Sequence, residues 1–109
     1  MPRDEVQAAY FALLRAREEV EALRRYEEYL RVERQRLARV TAEREALADT
    51  IDRKLRRGLR HTDNALDKAV ELRRRVIDDE LRRLPDRLEA AERYVEEAEE
   101  EHRTLKRSA

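Results

Sequence analysis

The residues with the clearest chemical potential are Glu99 and His102, which are separated by two positions. On an α-helix this spacing places a carboxylate and an imidazole about one turn apart on the same face. Such a pair could chelate a divalent or ferric ion inside a helical bundle. A solvated histidine on a glutamate-rich helix explains the same residues more simply. We favour the simpler interpretation and expect neither a metal nor any other cofactor.

The Glu99-x-x-His102 pattern resembles, over four residues, the motif of ferritin-like di-iron bundles. The resemblance implies a metal-binding helical bundle in which each of two helices contributes such a motif. This chain has one copy, so a dimer would have to bring two together. If the chain folds back on itself, Glu18, Glu19 and Glu21 could add oxygen ligands. A ferritin-like site therefore remains a minor alternative.

A second chemical candidate is a basic segment whose side chains could contact nucleic-acid phosphates and release their counterions. The segment lacks aromatic residues for base stacking, which argues against recognition of single strands. Cations are also expected at the carboxyl end of a helix without any ligand, because they complement its dipole. Nucleic-acid binding, or binding to nucleic-acid machinery, is thus the alternative function. The candidate contacts are Arg53, Lys54, Arg56, Arg57 and Arg60.

Long helices must position all these groups, because apolar residues recur three, four or seven positions apart. One series runs from Leu23 to Leu55, and another from Leu66 to Leu105. Of the 109 residues, 48% are charged, one is glycine and two are proline, which leaves few turn formers. This combination is typical of long helices or coiled coils. We predict an all-α fold and a single domain over residues 1–109.

The predicted architecture is a long antiparallel helical hairpin, or coiled coil. Helix one covers about residues 4–57, the turn about 58–63, and helix two about 64–106 with a kink at Pro85. Gly58 supports this turn because glycine suits the left-handed residue that closes a helix. A helix that runs straight through Gly58 is the alternative at this point. A three-helix bundle with a joint at Pro85 is the second architecture.

In this hairpin, residue i lies opposite roughly residue 121 minus i, as a short helix–helix connection requires. Leu23 then lies opposite Ala98, and His102 lies opposite Glu19. Three polar residues, Glu33, Arg44 and Arg73, interrupt the apolar stripe. They either fix the register of the helices or extend to the edge of a thin core.

Apolar residues outside the stripe suggest an interface, because exposed apolar patches usually mark one. In the predicted register the amino end overhangs the carboxyl end, so the chain cannot cover it. Self-association into an antiparallel four-helix bundle would bury this amino-terminal patch and a second apolar patch on helix two. The predicted interface residues are Tyr10, Phe11, Leu14, Leu72 and Val76.

The preferred function is a non-catalytic coiled-coil module for protein–protein interaction, assembly or adaptor work. The formal net charge is zero, which gives no overall attraction to nucleic acid or anionic lipid. The pattern shows no nucleophile–base arrangement or phosphate-binding glycine loop, so we expect no enzyme and no small-molecule ligand. No apolar run approaches the ~20 residues of a membrane span. We expect a cytoplasmic protein whose partners are itself and an unidentified protein.

Overall fold

The structure is a computed structural model that describes residues 2–51 and 53–108, apart from the side chains of Pro2, Arg53, Lys54, Arg56 and His61. Over these residues the chain forms two α-helices, α1 (Pro2–Thr50) and α2 (Arg53–Ser108). Both are rich in Ala, Leu, Glu and Arg, which are strong helix formers. The predicted all-α fold is confirmed.

The connection between the helices lies earlier than the sequence predicted. α1 ends at Thr50, whose hydroxyl donates a hydrogen bond to the carbonyl of Leu47 at 2.8 Å. This hydroxyl satisfies one of the carbonyls that a helix leaves unpaired at its carboxyl end. The predicted turn at residues 58–63 is wrong, because these residues lie inside α2.

Gly58 is the residue on which that prediction depended. It lies within α2, its φ is not positive, and an added Cβ would have no atom within 4 Å. A glycine inside a helix costs only about 1 kcal/mol relative to alanine, so the helix can continue through it. The basic segment therefore lies at the start of α2, whereas the last turn of α1 contains no basic residue.

α2 also continues through Pro85, as the preferred architecture predicted. A proline inside a helix removes one backbone hydrogen bond and costs about 3 kcal/mol. Leu84 beside it is fully buried, and burial of a leucine contributes roughly 1.5–3 kcal/mol. With two helices over the described residues, the chain does not form the three-helix bundle. The kink itself stays a prediction.

The chain divides into two compact units, each containing part of both helices. Unit 1 consists of Met1–Glu27 and Arg83–Ala109, and unit 2 of Glu28–Arg82. Within unit 1, Arg17 pairs with Glu99 at 3.3 Å and Arg24 pairs with Glu92 at 3.1 Å. The partner number falls as the first number rises, so the segments are antiparallel.

Unit 2 has the same antiparallel arrangement and contains the connection between the helices. Arg34 pairs with Asp78 at 3.4 Å, and Arg44, further along α1, pairs with Asp67 at 2.6 Å. The two helices thus form the predicted hairpin within this unit.

The predicted register is wrong by about one heptad. In unit 1 the His102 ring lies 5.7 Å from the ring of Tyr10, and not opposite Glu19. Leu23 shares a groove with Ala91, and not with Ala98. Two stripes with the same seven-residue period stay in phase when one moves by seven residues along the other, so the pattern alone could not distinguish these registers.

The core is a seam along the two helices within each unit. In unit 2, the buried apolar residues are Leu30 and Leu37 on α1 and Ile77 on α2. Unit 1 has the more continuous seam, and its alanines keep the α1 side of the seam small. Its buried residues are Ala9, Leu13, Ala16, Val20 and Leu23 on α1 and Leu84 and Ala98 on α2.

The predicted stripe fails near the connection between the helices. Leu47, Leu55 and Leu66 were expected in the seam and are exposed instead. The half-buried positions of α1 in this region are polar or small, namely Thr41, Arg44 and Ala48. Because residues 41–50 of α1 place no large apolar side chain in the seam, charged contacts have a larger part here.

Candidate interaction surface

The leading candidate site is a row of exposed apolar residues on α2 in unit 2, which we call the outer row. It consists of Ala65, Ala69, Leu72 and Val76, and all four are exposed. Their spacing of four, three and four places them on one helix face. Leu72 is 65% exposed and Val76 is 56% exposed. A row with the spacing of a coiled-coil seam can accommodate another helix.

The outer row is distinct from the seam that joins α1 to α2. Ile77, one residue beyond Val76, is buried, and Val70, one residue beyond Ala69, is half-buried. Successive residues on a helix point about 100° apart, so the outer row lies beside the seam. α2 therefore has one apolar stripe in the seam and, next to it, an exposed one.

α1 adds exposed apolar residues in the same unit. Tyr29 is 53% exposed and Val32 is 49% exposed. The guanidinium of Arg73, which follows Leu72, donates a long hydrogen bond of 3.4 Å to the hydroxyl of Tyr29. This contact joins Tyr29 to the residue that follows Leu72, and Val32 is exposed one turn further along α1.

Glu33, one of the predicted stripe interruptions, is the buried polar residue beneath this surface. It is only 6% exposed and accepts hydrogen bonds from Arg36 at 2.7 and 3.0 Å and from Arg73 at 2.8 Å. The two hydrogen bonds from Arg36, and then the one from Arg73, hold the pKa of Glu33 below its usual value. Glu33 in turn raises the pKa of both arginines.

The predicted interruptions on α1 and α2 thus include two that pair with each other. Because Arg73 lies on α2 and Glu33 on α1, their hydrogen bond joins the helices. Buried carboxylates need such partners, since an unpaired one would be strongly destabilising. The carboxylate of Glu33 does not extend to solvent, which favours the register-fixing interpretation for this residue.

Arg44, the third predicted interruption, also joins the helices. Its side chain is about one-fifth exposed and pairs with Asp67 at 2.6 Å and Asp63 at 3.7 Å. It also donates a hydrogen bond to the backbone carbonyl of Asp63 at 3.2 Å. Asp63 and Asp67, which follow the basic segment along the chain, thus connect α2 to α1.

The predicted interface residues at the amino end are only partly exposed. Tyr10 is 44% exposed and Phe11 is 53% exposed, and their rings lie 5.9 Å apart. Leu14 is half-buried. The predicted overhang of this end is wrong, because Ala9 is buried and lines a groove with Leu105 near the other end of the chain. The register shift accounts for this difference.

The candidate metal ligands make other contacts. Glu99 pairs with Arg17 at 3.3 Å, and the ring of His102 packs near Tyr10. Among the described residues, no three His, Asp or Glu side chains come together as a possible metal site. The geometry thus adds no support to the ferritin-like alternative.

The basic segment is described only in part. Arg57 and Arg60 are exposed, and neither forms an ion pair with another described residue. The side chains of Arg53, Lys54 and Arg56 lie outside the described residues. In the described helices, no stretch combines the length and the apolar character needed to cross a lipid bilayer.

Sequence reasoning found half of the outer row, namely Leu72 and Val76. It missed Ala65 and the contribution of Tyr29 and Val32. The signal that could have found Ala65 is the continuation of the same four–three–four spacing. Tyr29 could not be assigned in this way, because its position depends on the register.

No protein-family model, curated protein or solved structure matches the chain.

Proposed function

We propose that this chain is a non-catalytic coiled-coil module that binds proteins, including a copy of itself, in assembly or as an adaptor. The observation that supports this function is the outer row, a second apolar stripe on a helix that already has one. Full burial of a leucine or valine side chain contributes roughly 1.5–3 kcal/mol. A partner helix laid on Leu72 and Val76 would provide that burial.

In such a module, apolar anchors supply affinity and the charged residues beside them select the partner. The exposed pair Tyr10 and Phe11 in unit 1 is a second patch of the same kind. Aromatic side chains are frequent anchors at interfaces because they bury a large area with few rotatable bonds. The proposal also takes the protein to be cytoplasmic, which fractionation of the native host tests.

The proposal is tested by affinity capture from the native host with the wild-type chain and with Leu72→Glu/Val76→Glu. These substitutions place two charges on the outer row and should abolish capture of its protein partners. The matched control is Ala46→Glu, which adds a charge at an exposed position of α1 outside that row. Circular dichroism at 222 nm checks that all three chains remain helical.

The expected result is a set of captured proteins that the control retains and the double variant loses. If the double variant captures the same proteins as the wild type, the outer row is not the binding surface. If neither captures any protein and the wild-type chain does not self-associate, the proposed function is wrong.

The alternative function is nucleic-acid binding through the start of α2. The observation that favours it is the pair of exposed arginines Arg57 and Arg60, whose guanidiniums have no acidic partner among the described residues. Binding to duplex DNA or RNA should weaken with rising salt and fall further in Arg57→Glu/Arg60→Glu. Binding that is unaffected by salt and by these substitutions would eliminate this alternative.

A further inference from the structure

Basic side chains border the outer row on both of its sides, and all of them belong to unit 2. On the side away from the seam lie Lys68 and Arg75, and on the seam side lies Arg73. Successive helix residues point about 100° apart, which puts each of the three within roughly a quarter turn of the row. Residues that border an apolar stripe in this way form the ion pairs that select a partner helix. The charge of these two borders therefore indicates what can cover the row.

The border away from the seam has two positive charges that a partner can use. Lys68 is exposed and forms no ion pair with another described residue. The side chain of Arg75 is 70% exposed, and its contact with Glu71 is long, at 3.4 Å. Arg74 also donates a hydrogen bond of 2.9 Å to the carboxylate of Glu71. Exposed pairs within one helix are weak and exchange readily for contacts with a partner.

The border on the seam side has an excess of positive charge as well. Arg36 and Arg73 both donate hydrogen bonds to Glu33, at 2.7 and 2.8 Å, so two guanidiniums share one buried carboxylate. The cluster therefore keeps one positive charge that Glu33 does not balance. The side chains of Arg36 and Arg73 remain 62% and 51% exposed. Because Arg73 directly follows Leu72, this charge lies beside the row.

The acidic residues of this part of α2 are engaged within the chain. Over residues 65–76 they are Asp67, which pairs with Arg44 of α1 at 2.6 Å, and Glu71. Asp79 follows one turn beyond Val76 and limits the basic borders to the length of the row. A ligand of the row thus meets basic groups on both sides over about three turns, or ~16 Å at 1.5 Å per residue.

From this charge pattern we infer that the outer row binds an acidic amphipathic helix of a partner protein. The apolar side of that helix covers Leu72 and Val76, as in other complexes that lay a helix on an apolar surface. Its carboxylates pair with Lys68 and Arg75 on one side and with Arg73 on the other. The inference rests on the proposed function and specifies the chemistry of its partner.

A second copy of the chain fits the outer row less well. An antiparallel pair of α2 helices would match the apolar residues of the two rows, but it would set Lys68 beside Arg75 of the other copy. A parallel pair would set Lys68 beside Arg73, and its pair of opposite charges would be Arg75 with Glu80. Like charges at such positions disfavour association. A helix with acidic borders avoids these repulsions.

An anionic membrane is also a poorer match. Helices that lie on membranes have a large hydrophobic face with side chains such as Trp, Phe and Leu. Half of the outer row is alanine, and Asp79 lies near its end. A narrow row of this kind has the width of a contact with one helix.

The test is a selection from a displayed library of helical peptides against the full chain. Each peptide has about five turns and a stripe of leucine and alanine, and the positions beside the stripe vary freely between Glu and Lys. The wild-type chain should enrich peptides with Glu at these positions. An enriched peptide, made synthetically, should bind roughly tenfold more tightly than the same peptide with Lys there, because several pairs change from attraction to repulsion.

Three variants show whether the outer row is responsible. Lys68→Glu/Arg75→Glu should change the preference from Glu to Lys at one border of the peptide and keep Glu at the other, which faces Arg73. Leu72→Glu/Val76→Glu should enrich no peptide. The matched control is Arg15→Glu/Arg39→Glu, which alters the net charge by the same amount at exposed positions of α1 and should keep Glu at both borders. Circular dichroism at 222 nm verifies that every chain is helical.

Several outcomes would overturn the inference. The first is a selection that enriches no peptide or shows no preference for Glu, and the second is a preference that Lys68→Glu/Arg75→Glu leaves unchanged. Sedimentation equilibrium and vesicles of phosphatidylserine test the other occupants of the row. A wild-type dimer, or vesicle binding, that Leu72→Glu/Val76→Glu abolishes would assign the row to a second copy or to a membrane.

Failure of this inference is distinguishable from failure of the proposed function. A chain that captures host proteins through Leu72 and Val76 but does not prefer acidic helices would retain the proposed function and lose only this inference. A chain that enriches no peptide, captures no host protein and does not self-associate would contradict both.

Discussion

Replacement of Gly58 by alanine should stabilise the protein. Gly58 lies inside α2 without a positive φ, and an added Cβ meets no atom within 4 Å. The methyl group therefore causes no clash, and at this exposed position it buries little surface. What remains is the difference in helix propensity between glycine and alanine, which is about 1 kcal/mol.

A gain of 1 kcal/mol in the free energy of unfolding corresponds to a rise in melting temperature of about 4–8 °C for a domain of this size. Thermal and urea unfolding, followed by circular dichroism at 222 nm, measure it directly. All chains must be compared at one protein concentration, because self-association would add to the apparent stability. The matched control is Ala46→Gly at an exposed position of α1, which should lose a similar amount.

The sign of the change decides between the two placements of Gly58. In the left-handed conformation that the sequence first suggested, an alanine would cost about 1–2 kcal/mol. A lower melting temperature in Gly58→Ala, with the expected loss in Ala46→Gly, would therefore refute the placement of Gly58 within a helix.

Two other substitutions test the seam. Leu84→Ala, at a fully buried position, should lower the free energy of unfolding by about 3–5 kcal/mol. Leu72→Ala should change it by less than about 0.5 kcal/mol when the protein is monomeric. Equal effects of the two substitutions in urea unfolding would contradict the assigned burial. The pKa of Glu33 is lowered from 4.5 in the folded chain, so its carboxylate stabilises the fold above pH 4.5 and this contribution is lost as the pH falls through the lowered pKa. Glu33→Gln should therefore be less stable than the wild type at pH 7 and approach it in acid, and a difference that is constant from pH 7 to pH 3 would disprove this role.

The helical nature of the chain was predictable because it depends on local properties. Apolar residues recur with the helical period, and few residues favour turns. The exposure of Leu72 and Val76 was also predictable, because they lie off the main stripe wherever the second helix is placed. Their role at an interface stays a prediction.

The position of the connection was harder to predict because two weak signals competed. Asp49 and Thr50 are poor helix formers, but Leu47 and Ile51 continue the spacing of the stripe across them, while Gly58 is the stronger helix-ending signal. In the structure α1 ends at Thr50, so the weaker of the two signals marks the connection. Leu47 is exposed, so the apparent continuity of the stripe was misleading.

The ion pair between Glu33 and Arg73 has a consequence for how the hairpin of unit 2 can go wrong. Apolar stripes with a seven-residue period tolerate slippage by one heptad, but charges do not. If α2 slipped by seven residues, Glu33 would meet Glu80 in place of Arg73. Two carboxylates would then compete for one buried position, and one of them would have to take up a proton.

The same shift of α2 is also unfavourable at Arg44, at the other end of the unit, because Arg74 would replace Asp67 opposite its guanidinium. A hairpin misaligned in this way would bring two pairs of like charges together, while it would keep most of its apolar contacts. Uncompensated charges of this kind are among the most costly defects in a protein interior. The polar residues that interrupt the seam of unit 2, namely Glu33, Arg44 and Arg73, thereby favour one alignment of the two helices.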